Sequence, residues 1–262
     1  MSDATELIER LRQCPDGDPK AQIRAIMALE DARVTQAAST ILPFLRSPHV
    51  MVRLSAADAL GGLGTTEVDD VGPALMTLLD DPDSSVRSSA AEALGELGYT
   101  PARPALERVL REDPHATPRA SAAEALGDLG DRDALDALVR AFADDDEPVR
   151  SYVALAIGLL GDPARLPELR RQLQKEPPLA TRRFLLVAAT RLGDEQALDE
   201  IMAMGEADEE ESRYEFLGAM SDLVAEATPA MVLTRADELA RRVDALGIHE
   251  LAARLRALHT SR

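Results

Sequence analysis

Aromatic side chains are scarce in this chain. They make up 3 % of 262 residues, and tryptophan is absent. A core must therefore come from many small and medium side chains, and alanine, leucine and valine lead the 45 % that is apolar. Such a core suits closely packed helices. One cysteine, Cys14, excludes an intrachain disulfide and a cysteine metal cluster. The four histidines, His49, His115, His249 and His259, never stand three or four residues apart, so no helix presents an imidazole pair to a metal. No apolar run approaches the roughly 18 residues of a membrane-spanning helix. The charged stretch from Met1 to Arg12 holds no apolar segment of signal-peptide length. A cytoplasmic protein without membrane insertion is the expectation.

Basic charge is also short. Lysine and arginine number 29 against 47 acids, a net charge of −18 and a pI near 4.6. That field repels a phosphate backbone, so nucleic acid is not an expected partner. No G-x-S-x-G, P-loop or dinucleotide fingerprint occurs. The glycines of "ALGGLG" at 59–64 follow no strand. The acid runs "DDPD" (80–83), "DDDE" (144–147) and "EADEEE" (206–211) lack the alternating ligands and the bend glycine of a calcium loop. They read as solvated turns whose carboxylates lie near helix N-termini. No catalytic residue, metal ligand or cofactor is expected.

What the chain has in abundance is repetition. "SSVRSSAAEALGELG" at 84–98 returns as "TPRASAAEALGDLG" at 117–130. An arginine near a turn recurs as Arg24, Arg53, Arg87, Arg119, Arg150, Arg182 and Arg213, at spacings of 29, 34, 32, 31, 32 and 31. Gly64, Gly98, Gly130, Gly161 and Gly193 stand 11 residues after five of these, and Leu60, Leu94, Leu126 and Ile157 stand 7 after four. Proline precedes by 5 at Pro19, Pro48, Pro82, Pro114 and Pro177. A period in this range marks a solenoid.

Each period predicts two amphipathic helices. The A helix reads like "DALDALVRAF", with Leu135, Leu138, Val139 and Phe142 on one stripe. In the B helix of the third copy, Val86, Ala90, Ala93, Leu94 and Leu97 form the stripe. Asp131, Asp162 and Asp194 are placed to cap helices, and Thr100-Pro101 and Asp162-Pro163 read as N-cap followed by proline. Gly98 and its equivalents suit a left-handed helix end. Gly95 and Gly127 lie inside B helices, where glycine costs about 1 kcal/mol against alanine. Close approach of a neighbouring helix is the expected compensation. The count is about seven A/B pairs, the first over Asp3–Cys14 and Pro19–Glu30 and the seventh ending near Ala225. Helices over about 228–246 and 248–259 follow as a C-terminal cap. The expected architecture is an all-α solenoid forming one domain over 1–262: an atypical start (1–47), regular repeats (48–225) and a cap (226–262).

At "SSVRSSAAEALGELG" and "DEPVRSYVALAIGLLGD" the chain resembles the HEAT-repeat family, in particular the bacterial type named after phycobilisome lyases. The likeness covers residues 18–225. It implies B helices lining a concave face and a ladder in which the repeated arginine pairs with a turn aspartate, Arg87 with Asp81 or Asp83 and Arg150 with Asp144 or Asp146. If so, the positions one, five and nine residues after the arginine form the exposed row. That row reads Ser88, Glu92, Glu96; then Ala120, Glu124, Asp128; then Ser151, Leu155, Leu159 with Tyr152 alongside; then Arg183, Val187, Arg191. The groove would run from acidic, through apolar, to basic. These positions predict a non-enzymatic scaffold or adaptor binding another protein or an extended peptide; a second copy of the chain is an alternative cover for the apolar step. The resemblance also implies rivals. A bilin lyase subunit would need a groove for a tetrapyrrole. A HEAT-like DNA glycosylase would need a basic groove with aromatics. A deoxyhypusine hydroxylase would carry several His-Glu dipeptides, whereas only His249-Glu250 occurs.

Overall fold

The computed structural model describes residues 4–15, 17–175, 180–207, 209–224 and 229–260. Among them every regular element is helical. The chain divides into two compact units, 1–141 and 142–262. Unit 1 holds α1 (Ala4–Arg12), α2 (Pro19–Asp31), α3 (Ala38–Ile41), α4 (Val50–Gly62), α5 (Val68–Leu78), α6 (Ser84–Glu96), α7 (Arg103–Glu112), α8 (Ala116–Asp128) and α9 (Leu135–Ala141). Unit 2 holds α10 (Glu147–Leu160), α11 (Leu166–Leu173), α12 (Ala180–Arg191), α13 (Glu195–Glu206), α14 (Glu210–Val224), α15 (Ala230–Thr234), α16 (Ala236–Ala245) and α17 (His249–Thr260). No helix is long and apolar enough to cross a membrane among the described residues.

The even-numbered helices up to α14 are the B helices. Within unit 1 α2, α4, α6 and α8 stack in succession, and within unit 2 α10, α12 and α14 do. Stacking buries faces that a single helix pair would leave wet, which is how a solenoid gains stability. Val86, Ala90, Ala93 and Leu94 are 0–1 % exposed, as are Val153, Ile157, Leu185 and Phe216. The helix-interior glycines make the stack close. A Cβ at Gly61 would lie 2.7 Å from the Ala93 Cα, one at Gly95 2.8 Å from that of Ala125, and one at Gly158 2.8 Å from that of Ala188. Each glycine thus faces an alanine of the next B helix. The terminal glycines do different work. Gly98 sits at φ 65° and Gly161 at φ 66°, and the Tyr99 amide closes on the Leu94 carbonyl at 3.1 Å.

Asp131, Asp162 and Asp194 cap as expected, accepting from the amides of Asp133, Ala164 and Gln196. Thr100 does not cap. It is the first residue of a 3-10 turn, and Tyr99 at the cap position has no side-chain bond to offer. The expected helix over 228–246 begins outside the described residues, and its described part is two helices. The break falls at Arg235 (φ −102°, ψ 10°), whose guanidinium is held by Glu238 and Asp199.

The arginine ladder exists with a different pairing. Arg87 donates from Nε and Nη2 to both Asp113 oxygens at 2.6 and 2.8 Å, and Arg53 does the same to Asp81 at 2.7 and 2.9 Å. For these two arginines the carboxylate comes from the next copy, 28 residues on for Arg53 and 26 for Arg87, not from the arginine's own turn. The turn before each arginine supplies a carbonyl six residues back: Ser47 for Arg53, Asp81 for Arg87, Asp113 for Arg119, Asp144 for Arg150 and Ala207 for Arg213. The forked guanidinium makes this possible, with one nitrogen for its own turn and two for the next. Arg24 makes no such bond among the described residues, in keeping with an atypical first copy. Burial would raise the carboxyl pKa values of Asp81 and Asp113, but the arginine and amide donors outweigh it and hold both below the usual range.

The adjacent glycines at 61 and 62 separate packing from propensity. A Cβ at Gly62 meets only the flexible tip of Glu30, at 3.3 Å. Gly61→Ala is expected to destabilise by about 1–3 kcal/mol through overpacking, whereas Gly62→Ala should stabilise by up to about 1 kcal/mol. Urea unfolding of the two variants beside the wild type checks the difference in sign.

Candidate functional site

Unit 1 gathers carboxylates on one face of its B helices. Glu30 of α2, Asp58 of α4, Glu92 and Glu96 of α6, and Glu124 and Asp128 of α8 form a continuous seam in which neighbours repel one another. Glu96 feels Glu92, Asp58, Asp128 and Glu30 together. The absent Cβ of Gly61 leaves room for it, since that atom would lie 2.6 Å from Glu96 Oε2. Hydroxyls of the following B helix hold two members in place. Ser121 donates to Glu92 Oε1 at 2.7 Å, and Ser89 bonds Asp58. No ion-pair partner meets any of the six among the described residues. Burial, then mutual repulsion, raises the carboxyl pKa values of Glu30, Asp58, Glu96 and Glu124, with Glu124 reaching about 6. Burial raises Asp128 as well.

The expected exposed row is only partly exposed. Glu92, Glu96 and Asp128 face solvent, and Glu124 is half-buried. Ser88, Ala120 and Ser151, one residue after the arginine, are buried. That position lies on the side of a B helix that the next one covers, as Ser151 shows by meeting the Thr181 hydroxyl at 3.0 Å.

In unit 2, Leu159 is 40 % exposed and Leu155 half-buried. Tyr152 stacks on Phe184 at 6.4 Å between centroids, and the Arg183 guanidinium lies 4.2 Å from the centre of the Phe184 ring. Val187 corrects the sequence reading. It is 1 % exposed, packed within the α10–α12–α14 stack, and cannot meet a partner. The expected basic end is also corrected. Arg183 lies 3.5 Å from Glu215 and 3.9 Å from Asp222, and Arg191 donates to the Asp222 carbonyl at 3.0 Å. Acids of α14 thus neutralise both arginines internally. Gly218 permits the arrangement, because a side chain there would overlap the Arg183 guanidinium. Burial lowers the Arg191 pKa and raises that of Asp222.

The sequence reading passed over Glu30, Asp58, Ser89 and Ser121 in the seam. Asp58 was within reach, since it stands five residues after Arg53 and so continues the row of Glu92 and Glu124. Glu30 lies in the atypical first copy, where the row has no reliable phase. Among the described residues no group of side chains is arranged to hold a metal ion.

The family described as HEAT repeats matches residues 4–71, 62–127 and 104–183. No curated protein matches the chain in sequence. The fold resembles that of the complex of CpcE and CpcF of phycocyanin lyase from Nostoc sp. PCC7120, with a TM-score of 0.62 and 23 % identity over 100 % of this chain and 95 % of that one. YibA of Escherichia coli is similar at a TM-score of 0.57 and 17 % identity, over 97 % of this chain and 93 % of that one. An engineered protein follows at 0.50 and 17 %, over 100 % and 79 %. At these identities the likeness is one of fold.

The seam and the ladder give stability opposite pH dependences. The folded seam binds protons that the unfolded chain has already released, so its contribution is full below the ordinary carboxyl range and is lost as pH rises through about 6. The ladder aspartates, with lowered pKa values, contribute above the ordinary range and lose that contribution as pH falls through and below it. Maximal stability is expected near about pH 5. Glu124→Gln should stabilise by about 1 kcal/mol at neutral pH, allowing for screening, and by far less at the optimum. Thermal unfolding of the full chain across pH checks both.

Proposed function

Because the chain belongs to the HEAT-repeat family, we propose that it is a non-enzymatic interaction scaffold whose acidic unit-1 face takes a basic, extended segment of a partner protein. The observation that carries this reading is the seam of six carboxylates left without cations among the described residues, on a face where burial and mutual repulsion raise the carboxyl pKa values of Glu30, Asp58, Glu96 and Glu124 and burial raises that of Asp128. A lysine- or arginine-rich segment laid along the seam relieves that repulsion and gains from the half-buried setting. Attraction by the seam speeds the encounter, and spacing along successive B helices suits an extended chain more than a compact one. In unit 2, Leu155, Leu159 and Tyr152 offer an apolar contact for the same partner class. Arg183 and Arg191 are not offered as a basic end, since Glu215 and Asp222 occupy them.

Binding of a fluorescent arginine-rich peptide tests the reading by stopped flow at several salt concentrations, with an acidic peptide of equal length as control. Wild type should take the basic peptide alone. Glu92→Lys with Glu124→Lys should slow association by at least about tenfold at low salt and flatten its salt dependence. Association kinetics unchanged by that double reversal would remove the seam from the function.

A second reading is a chromophore-handling role, favoured by the flat Tyr152–Phe184 stack with Arg183 over the ring and by the likeness to a phycocyanin lyase complex. Incubation of the chain with a free bilin, followed by absorbance, decides it. A red-shifted band lost in Phe184→Ala supports this reading, and an unaltered spectrum removes it.

A further inference from the structure

Within unit 1 the joints between B helices keep one register. A Cβ at Gly61, eight residues after Arg53, would lie 2.6 Å from Oε2 of Glu96, nine after Arg87. One at Gly95 would lie 3.4 Å from Asp128, in the same relation. At the joint between α2 and α4 the side chain facing Gly62 is that of Glu30. Gly62 stands nine residues after Arg53, so Glu30 holds the eighth position of α2 and Gln22 the arginine's place. Gln22 behaves accordingly. It is 4 % exposed and donates from Nε2 to the Pro15 carbonyl of the preceding turn at 3.1 Å.

This register puts Met27 in line with Asp58, Glu92 and Glu124, each five residues after the ladder position. Met51 stands seven residues before Asp58, two turns back on the same side of α4. Met27 is 50 % exposed and Met51 57 %. Among the described residues these are the two large apolar side chains that unit 1 leaves exposed, and both continue the acidic face. A hydroxyl two residues after the ladder position holds the acid of the helix before it: Ser89 bonds Asp58, and Ser121 donates to Glu92 at 2.7 Å. Ser55 has that place in α4, and Met27 offers it no carboxylate. Exposed Lys20, seven residues before Met27, adds positive charge at α2. The face is therefore apolar and cation-repelling at α2, and acidic over α4, α6 and α8.

Packed B helices stand about 8–10 Å apart. A polyproline II chain presents every third residue on one side, at intervals of about 9 Å. A β-strand presents every second residue at about 7 Å, and an α-helix turns every 5.4 Å or so. Of the three, polyproline II repeats at the helix spacing with every turn in use. Resting on the reading that a basic extended segment lies along the seam, we propose that this segment binds in polyproline II form, with an apolar residue over Met27 and Met51 and a lysine or arginine at each third position along from it, over Asp58, Glu92 and Glu124 in turn. Glu96 and Asp128 flank the last two cations. A flexible thioether adapts to varied apolar side chains, and a preformed polyproline II chain loses little freedom on binding.

Fluorescence anisotropy with the full chain tests this. The end-capped peptides share one composition: leucine at one end followed by arginine at every third position, with proline and alanine between; the reversed sequence; and an arrangement with arginine at every second position. The every-third arrangement, in one of its two directions, should bind at least about tenfold tighter than the every-second one. Replacing its leucine by alanine should weaken binding by about threefold to tenfold in wild type, and not in Met27→Ser with Met51→Ser. Both peptides meet the same variant in that comparison, so a general loss of fold does not imitate the loss of the anchor. Equal affinity for the two spacings overturns the proposal and leaves the acidic-face reading standing. So does a leucine preference that survives in the double variant. Failure of every arginine peptide to bind overturns the acidic-face reading and this proposal together.

Discussion

Each B helix must come close enough to its neighbour to bury a side that no helix pair buries alone, and the rest of the structure follows from that approach. Gly61, Gly95 and Gly158 each meet an alanine of the following helix at a distance where a single methyl would collide. Glycine inside a helix costs stability locally, and the close contact between helices repays it. This joint also decides the fate of every other position on the helix. Residues one and four after the arginine go under the next helix, and those five and nine after it turn outward in most copies. Val187 is the exception that shows packing and not position alone sets exposure.

The same approach sorts the acids into two kinds. Asp81 and Asp113 are buried at the turns, each gripped through both oxygens by an arginine of the preceding copy. Those carboxylates are ionised by design of their surroundings and tie successive repeats together. The seam carboxylates sit on helix faces that stacking draws together without supplying a cation. The protonated forms of Glu30, Asp58, Glu96 and Glu124 are favoured by burial and by neighbouring carboxylates, with Glu124 furthest from its ordinary value. A fold that keeps such a face accepts a local cost. In unit 2 the outward positions carry apolar groups and arginines, but α14 returns Glu215 and Asp222 to those arginines, so this face differs from the seam in being neutralised internally. In α14, Tyr214 and Leu217 stand one and four residues after the arginine, as buried Ser151 and Ala154 do in α10, yet they are left in water.

Periodicity alone was enough to establish the helix pairs, their number, the left-handed glycines at Gly98 and Gly161, the capping aspartates and the close approach at Gly95, because each depends on residues within one period or on the invariance between periods. The acidic character of Glu92, Glu96, Glu124 and Asp128 was legible for the same reason. Which atoms pair across periods was not. Arg87 has aspartates both in its own turn and in the next, and only the three-dimensional offset between copies chooses Asp113. Arg183 and Arg191 read as free cations until α14 is placed against them, and Val187 reads as exposed until three helices close around it. Local pattern specifies what a residue can do on its own helix, whereas partner choice and burial depend on the distance and rotation between helices, which no single period encodes.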